Sequence, residues 1–145
     1  MGPEAKLYQT IRKATPNIIY NRVENLSVQG MPDALCYNKR KQFFTVEFKI
    51  AKGDRVRLSP HQIAWHYNHP ENTFICIQTL GPRAKKLFHL VPGSLIEELA
   101  ACSLKLGPSS LWLVASHRIT VCTAPVIMDD FYFYSKLSVG HMQRS

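Results

Sequence analysis

Asp33 and Glu47 stand fourteen residues apart, in Gly30-Met31-Pro32-Asp33 and Glu47-Phe48-Lys49, and Lys49 follows Glu47 by two. Two carboxylates beside a lysine suit a hard divalent cation held by oxygen ligands, with an ammonium left to handle charge on an attacked phosphate. That chemistry requires the three side chains to converge. Residues 43–50 read as a strand, rich in aromatic and β-branched residues and preceded by the polar turn Lys39-Arg40-Lys41-Gln42. Strand side chains alternate, so Phe44, Val46, Phe48 and Ile50 share an apolar face while Thr45, Glu47 and Lys49 share the other. If a strand starting at Asp33 pairs beside this one, the two carboxylates meet next to the lysine. The competing reading is a solvated Glu-Lys pair on an exposed strand face.

Two flanking helices bear on that choice. In residues 3–14, Pro3 suits a first helical turn, Leu7, Ile11 and Ala14 form an apolar face, and Thr15-Pro16 ends the element. By spacing, Glu4 falls on the buried face. It either complements the positive end of the helix dipole or serves as a third carboxylate of the site. In residues 59–68, Ser59 reads as an N-cap, Pro60 as the first helical residue and Gln62 as the partner that completes a capping box. Gln62 either caps the helix or presents its amide to the cleft, and the sequence leaves both open.

The ordered set of Glu4 in a first helix, Gly30-Met31-Pro32-Asp33, Glu47-Phe48-Lys49 and Leu58-Ser59-Pro60-His61-Gln62 resembles the PD-(D/E)xK nuclease superfamily. The chain is most similar to its virus-type replication-repair nuclease (VRR-NUC) branch and to small phage-encoded relatives, which the stretch Asn21-Arg22-Val23-Glu24-Asn25 also resembles. The resemblance covers about residues 3–80. It implies an α/β fold with an αβββαβ core, a small mixed sheet flanked by helices, as in restriction endonucleases. It also implies Mg²⁺, with Mn²⁺ able to substitute, held by Asp33, Glu47, the Phe48 carbonyl and Glu4, with Lys49 and Gln62 as catalytic partners. Hydrolysis of a DNA phosphodiester would leave a 5′-phosphate and a 3′-hydroxyl, and a homodimer would suit relatives that resolve branched DNA.

The residue pattern gives the same element order independently: helix 3–14, strands 18–24, 33–38 and 43–50, helix 59–68 and strand 73–79. Gly30 and Pro32 mark a turn, as do Gly53-Asp54 and Pro70-Glu71-Asn72. A fifth strand is expected at 87–91, then a helix capped by Ser94. Beyond it, 111–115 and 119–123 read as two strands, and Phe131-Tyr132-Phe133-Tyr134 as a core or interface segment. A chain of 145 residues, 46% hydrophobic, suits one domain. Its core would span about 3–80, with 81–145 serving packing, recognition or oligomerisation.

Charge points to a polyanionic partner. The net charge is +8, and residues 1–60 hold eleven Lys and Arg against five acids, so the excess collects around the proposed site. Lys39, Arg40 and Lys41 precede the third strand and Lys52, Arg55 and Arg57 follow it. With Arg22 and His61 they are the candidate DNA contacts. His61, His66 and His69 have spacings that do not bring all three to one metal, so surface or phosphate contact is expected of them rather than zinc. Cys36, Cys76, Cys102 and Cys122 are widely spaced, which fits small buried residues in a reducing compartment. No apolar run of about eighteen residues and no secretory signal is visible, so the expected location is cytoplasmic; a phage source, with action inside the host cell, is suggested by the resemblance alone.

The reading is a metal-dependent endonuclease, selective for branched DNA. Two alternatives are a site-specific homing or restriction-type enzyme that reads bases in the major groove, and a binding module that kept the fold without the chemistry. A basic RNA-binding protein would leave the Asp33, Glu47 and Lys49 arrangement unexplained.

Overall fold

The computed structural model describes residues 2–23, 29–80 and 86–102. The elements are α1 (Pro3–Ala14), β1 (Ile19–Arg22), β2 (Ala34–Tyr37), β3 (Phe43–Ile50), α2 (Pro60–Asn68), β4 (Thr73–Leu80), β5 (Lys86–Pro92), a 3₁₀ turn (Gly93–Leu95) and α3 (Ile96–Cys102). The αβββαβ order and the mixed α/β class agree with expectation. The first three strands form an antiparallel meander, β3 and β4 run parallel, and β5 returns antiparallel, giving the spatial order β1-β2-β3-β4-β5. Parallel neighbours require a crossover, and α2 provides it. Among the described residues no helix is long and apolar enough to cross a membrane.

Both faces of β3 are covered. On one side Leu7, Tyr8 and Ile11 of α1 pack on Ala34, Cys36, Phe44, Val46, Phe48, Phe74 and Cys76. The Tyr8 ring meets Phe48 edge-on at 5.4 Å, a favoured aromatic geometry. On the other side Ile75, Ile77 and Val91 pack with Val56, Ile96 and Leu99. Cross-strand neighbours share a face, and Glu47 is in register with Ile75 and Lys49 with Ile77. Glu47 and Lys49 therefore lie on the side that α2 and α3 roof over. The exposed-pair reading fails for Glu47, which is 2% exposed.

Several boundaries differ from expectation. β1 stops at Arg22 and β2 is confined to Ala34–Tyr37, because the meander pairs only those four positions on each strand. Asn38 closes the β2–β3 turn, its side-chain oxygen accepting from the backbone N–H groups of Arg40 and Gln42. Ser94 lies inside the 3₁₀ turn, and α3 begins at Ile96. Glu4 is exposed, in contrast to the buried position its spacing implies, while Tyr8 takes a core position beside Leu7 and Ile11. Cys36 and Cys76 are buried free thiols, as expected. The segments expected at 111–115, 119–123 and 131–134, with Cys122, lie outside the described residues.

Helix α2 is held closely at its far end. His66 is fully buried, and a Cβ on Gly93 would collide with the Thr73 hydroxyl and lie 3.4 Å from the His66 ring. That hydroxyl donates to the His69 carbonyl at 2.6 Å and is not free to turn away. Gly93→Ala is therefore expected to cost about 1–3 kcal/mol of overpacking strain, read as a lower urea midpoint with an unchanged slope.

Candidate active site

The meander brings the two acids together. Ala34 pairs with Val46, so the chain entering β2 sets Asp33 beside Glu47. Asp33 is fixed from two directions: its carbonyl accepts from Val23 N–H at 2.9 Å, and its Oδ2 accepts from Phe48 N–H at 2.8 Å. Pro32, just before it, is buried. One carboxylate oxygen of Asp33 is thus tied to the strand that carries Glu47.

Gln62 joins the site from α2, where it caps the helix and also turns its amide nitrogen to Glu47. Its Oε1 accepts from Ser59 N–H at 3.0 Å while its own N–H donates to Ser59 Oγ at 3.1 Å, completing the capping box. Its Nε2 donates to Glu47 Oε2 at 3.1 Å. An amide has one acceptor end and one donor end. Capping uses the oxygen and leaves the nitrogen for the carboxylate.

Glu47 Oε1 is buried with no hydrogen-bond partner. Burial, then the nearby Asp33 carboxylate, pushes the Glu47 carboxyl up from 4.5 to about 9, against the opposing pull of Lys49. Two acids crowded in a desolvated site hold a proton unless a cation replaces it. A buried acceptor without a partner, next to a second carboxylate, fits a divalent cation. Among the described residues no three Asp, Glu, His or Cys side chains converge as a ready-made cage. Glu4 stands at the rim, lining a cavity of about 510 Å³ together with Lys49, Lys52, Arg55, Arg57 and Gln62.

The basic candidates divide. Lys52, Arg55 and Arg57 reach the cavity, on a loop tied to itself and to the core. Lys52 and Arg55 exchange both backbone hydrogen bonds at 3.0 Å across a turn at Gly53, and Val56 is buried in the core. Lys39, Arg40 and Lys41 sit beyond the opposite end of β3, roughly 25 Å away at the usual strand rise, and do not line it. Arg22 stacks over the Tyr8 ring at 4.7 Å on the α1 side. His61 is exposed in the first turn of α2, outside the cavity lining.

Of the other two histidines, His69 is at the surface as expected and His66 departs from expectation. His66 is neither at the surface nor placed for a phosphate. Its Nδ1 lies 2.9 Å from the Gln62 carbonyl and must carry the proton to bond there, leaving Nε2 buried without a partner. Burial lowers its pKa. His69 is exposed and stacks on Trp65 at 4.0 Å. The position of His66 was readable, since it follows Gln62 and Ile63 by four and three residues and so shares their helical face. The contact of Gly30 with α2, by contrast, joins residues about thirty apart and has no local signature.

The raised Glu47 pKa fixes the sign of a stability effect. The folded chain holds this proton more tightly than the unfolded chain, so the contribution is present below about pH 4.5 and is lost as pH rises through about 9. Metal-free protein should therefore lose stability between those limits, and Glu47→Gln should flatten that part of the curve. Urea denaturation at stepped pH, in EDTA, checks this. A variant with the wild-type slope would contradict the assignment.

No protein-family profile and no curated protein matches this chain. Among solved structures it is similar to Hjc of Archaeoglobus fulgidus, a Holliday junction resolvase from an archaeal hyperthermophile, with 20% sequence identity and a TM-score of 0.43. The match covers 63% of this chain and 74% of that one.

Proposed function

We propose that this chain is a divalent-metal-dependent DNA endonuclease, selective for branched DNA and acting as a homodimer. The observation that carries the catalytic reading is the buried, unpartnered Glu47 Oε1 beside Asp33, behind Lys49 and Gln62, which line a cleft walled by cations. Asp33 and Glu47 would hold Mg²⁺ or Mn²⁺, with the Phe48 carbonyl and Glu4 completing the set. When bound, the ion supplies an acidified water and a polarised phosphate.

The chain's own groups do the rest. Lys49 stabilises the negative charge that builds on the phosphate, an electrostatic effect strengthened by its half-buried position. Gln62 restrains Glu47 through Oε2 and leaves Oε1 for the ion. Lys52, Arg55 and Arg57 draw the DNA backbone to the cleft, which makes binding steeply salt-dependent. Two subunits would supply the paired cuts that a branch point needs.

Cleavage of a labelled four-way junction and a linear duplex of matching sequence, in Mg²⁺ or EDTA, tests this directly. Wild type should cut the junction in Mg²⁺ alone. Glu47→Ala should abolish cutting while still binding, and Lys49→Ala should lower kcat by about 10²–10³-fold. A unique cut in linear DNA would indicate a site-specific enzyme. Binding without cutting in either Mg²⁺ or Mn²⁺ would leave a non-catalytic module.

A further inference from the structure

The Gly30-Met31-Pro32-Asp33 segment touches three elements at once. Through the Asp33 carbonyl it meets the chain at Val23, just after β1, and through the Asp33 carboxylate it meets Phe48 in β3. Gly30 supplies the third contact. Its φ is +85°, and a Cβ built there would collide with the His61 carbonyl oxygen, lie 2.6 Å from the His61 carbonyl carbon and 3.2 Å from the Gln62 nitrogen. All three are backbone atoms in the first turn of α2.

That turn has little freedom to yield. Ser59 and Gln62 lock it through the reciprocal capping box, and Gly93 and Thr73 bound the helix at His66. A side chain at position 30 must lift the turn that carries Gln62 or displace the turn that leads to Asp33. Backbone conformation is one reason for the glycine, since its φ lies beyond the 63° and 55° that Lys41 and Asn72 adopt with side chains in place, and the contact with α2 is a second, separate reason. Gly53 separates the two effects: its φ is +62°, but a Cβ there meets nothing within 4 Å.

We propose that Gly30 is a positioning residue for Gln62. Its missing side chain lets the first turn of α2 rest on the turn leading to Asp33, and this backbone contact sets the Gln62 amide over Glu47. One glycine thereby fixes the spacing between the segment that carries one acid and the helix that restrains the other. Its consequence for cleavage rests on the endonuclease reading, whereas its consequence for the Gln62 amide does not.

The test uses the intact chain and two readouts. In ¹⁵N–¹H spectra, the Gln62 side-chain amide pair, assigned by its loss in Gln62→Leu, should be displaced from the solvent-exposed glutamines in wild type. Gly30→Ala should return it to them, and Gly53→Ala should leave it in place. In kinetics, Gly30→Ala and Gln62→Ala should each lower kcat about 10–100-fold, as expected for a small misplacement of a site, with DNA Kd changed less than about twofold. The double variant should fall within about threefold of the worse single variant, because residues acting as one unit do not add.

Unmoved Gln62 amide signals in Gly30→Ala, or fully multiplicative kinetic losses, would overturn the proposal. If Gly30→Ala fails to fold, Ser59→Ala loosens the same turn from the other side. It should shift the backbone resonances of Gly30 and Asp33, and their constancy would be equally decisive against the contact. A wild-type chain that cuts no DNA would end the endonuclease reading while leaving the amide measurement to decide the role of Gly30.

Discussion

A carboxylate taken out of water must be paired, protonated or bound to a cation, and the interior position of Glu47 imposes that condition on everything around it. One of its oxygens accepts from Gln62, whose amide can point there because its other end is held by Ser59. The remaining oxygen has no protein partner. Asp33 makes matters worse for the metal-free chain by adding a second negative charge nearby. The fold accepts this cost by surrounding the pair with well-packed apolar layers, Phe44, Val46 and Phe48 on one side and Ile75, Ile77 and Val91 on the other. Trading stability for a charged, desolvated centre is characteristic of sites built to do chemistry.

The cationic wall is arranged by the same means. Lys52 and Arg55 face each other across a two-residue turn, a juxtaposition of like charges that weakens a ladder. Val56 anchors the loop in the core, so the two charges stay at the cavity in spite of their repulsion. Lys39, Arg40 and Lys41 occupy a turn organised by Asn38, away from that cavity. The positive charge that the composition shows as a single excess is thus two structures with different relations to the acids.

Much of this was legible in the residues. Alternation gave β3 its full extent, and Ser59-Pro60 with Gln62 gave the start of α2, because each signal is local. The convergence of Asp33 with Glu47 needed only a meander, which short turns between apolar runs favour. Glu4 was misplaced because spacing reports which side of a helix a residue occupies, not whether the sheet extends beneath that turn. Glu47 was harder: a Glu-x-Lys pattern describes exposed strands well, and only the roof formed by α2 and α3 makes this one buried. The double engagement of Gln62 and the contact at Gly30 depend on how the crossover lands, which no window of sequence contains.

The crossover also sets the order in which the site can come into being. β2 and β3 pair through a five-residue turn, so the adjacency of Asp33 and Glu47 needs only the local pairing of these two strands. Gln62 cannot reach Glu47 until α2 has swung across and β4 has paired in parallel with β3, a non-local closure of the kind that slows folding. In the meander alone the two acids would be adjacent but would lack the cover of α2 and β4. Desolvation of Glu47, and the demand for a cation that comes with it, thus depends on the crossover and on the pairing of β4 with β3.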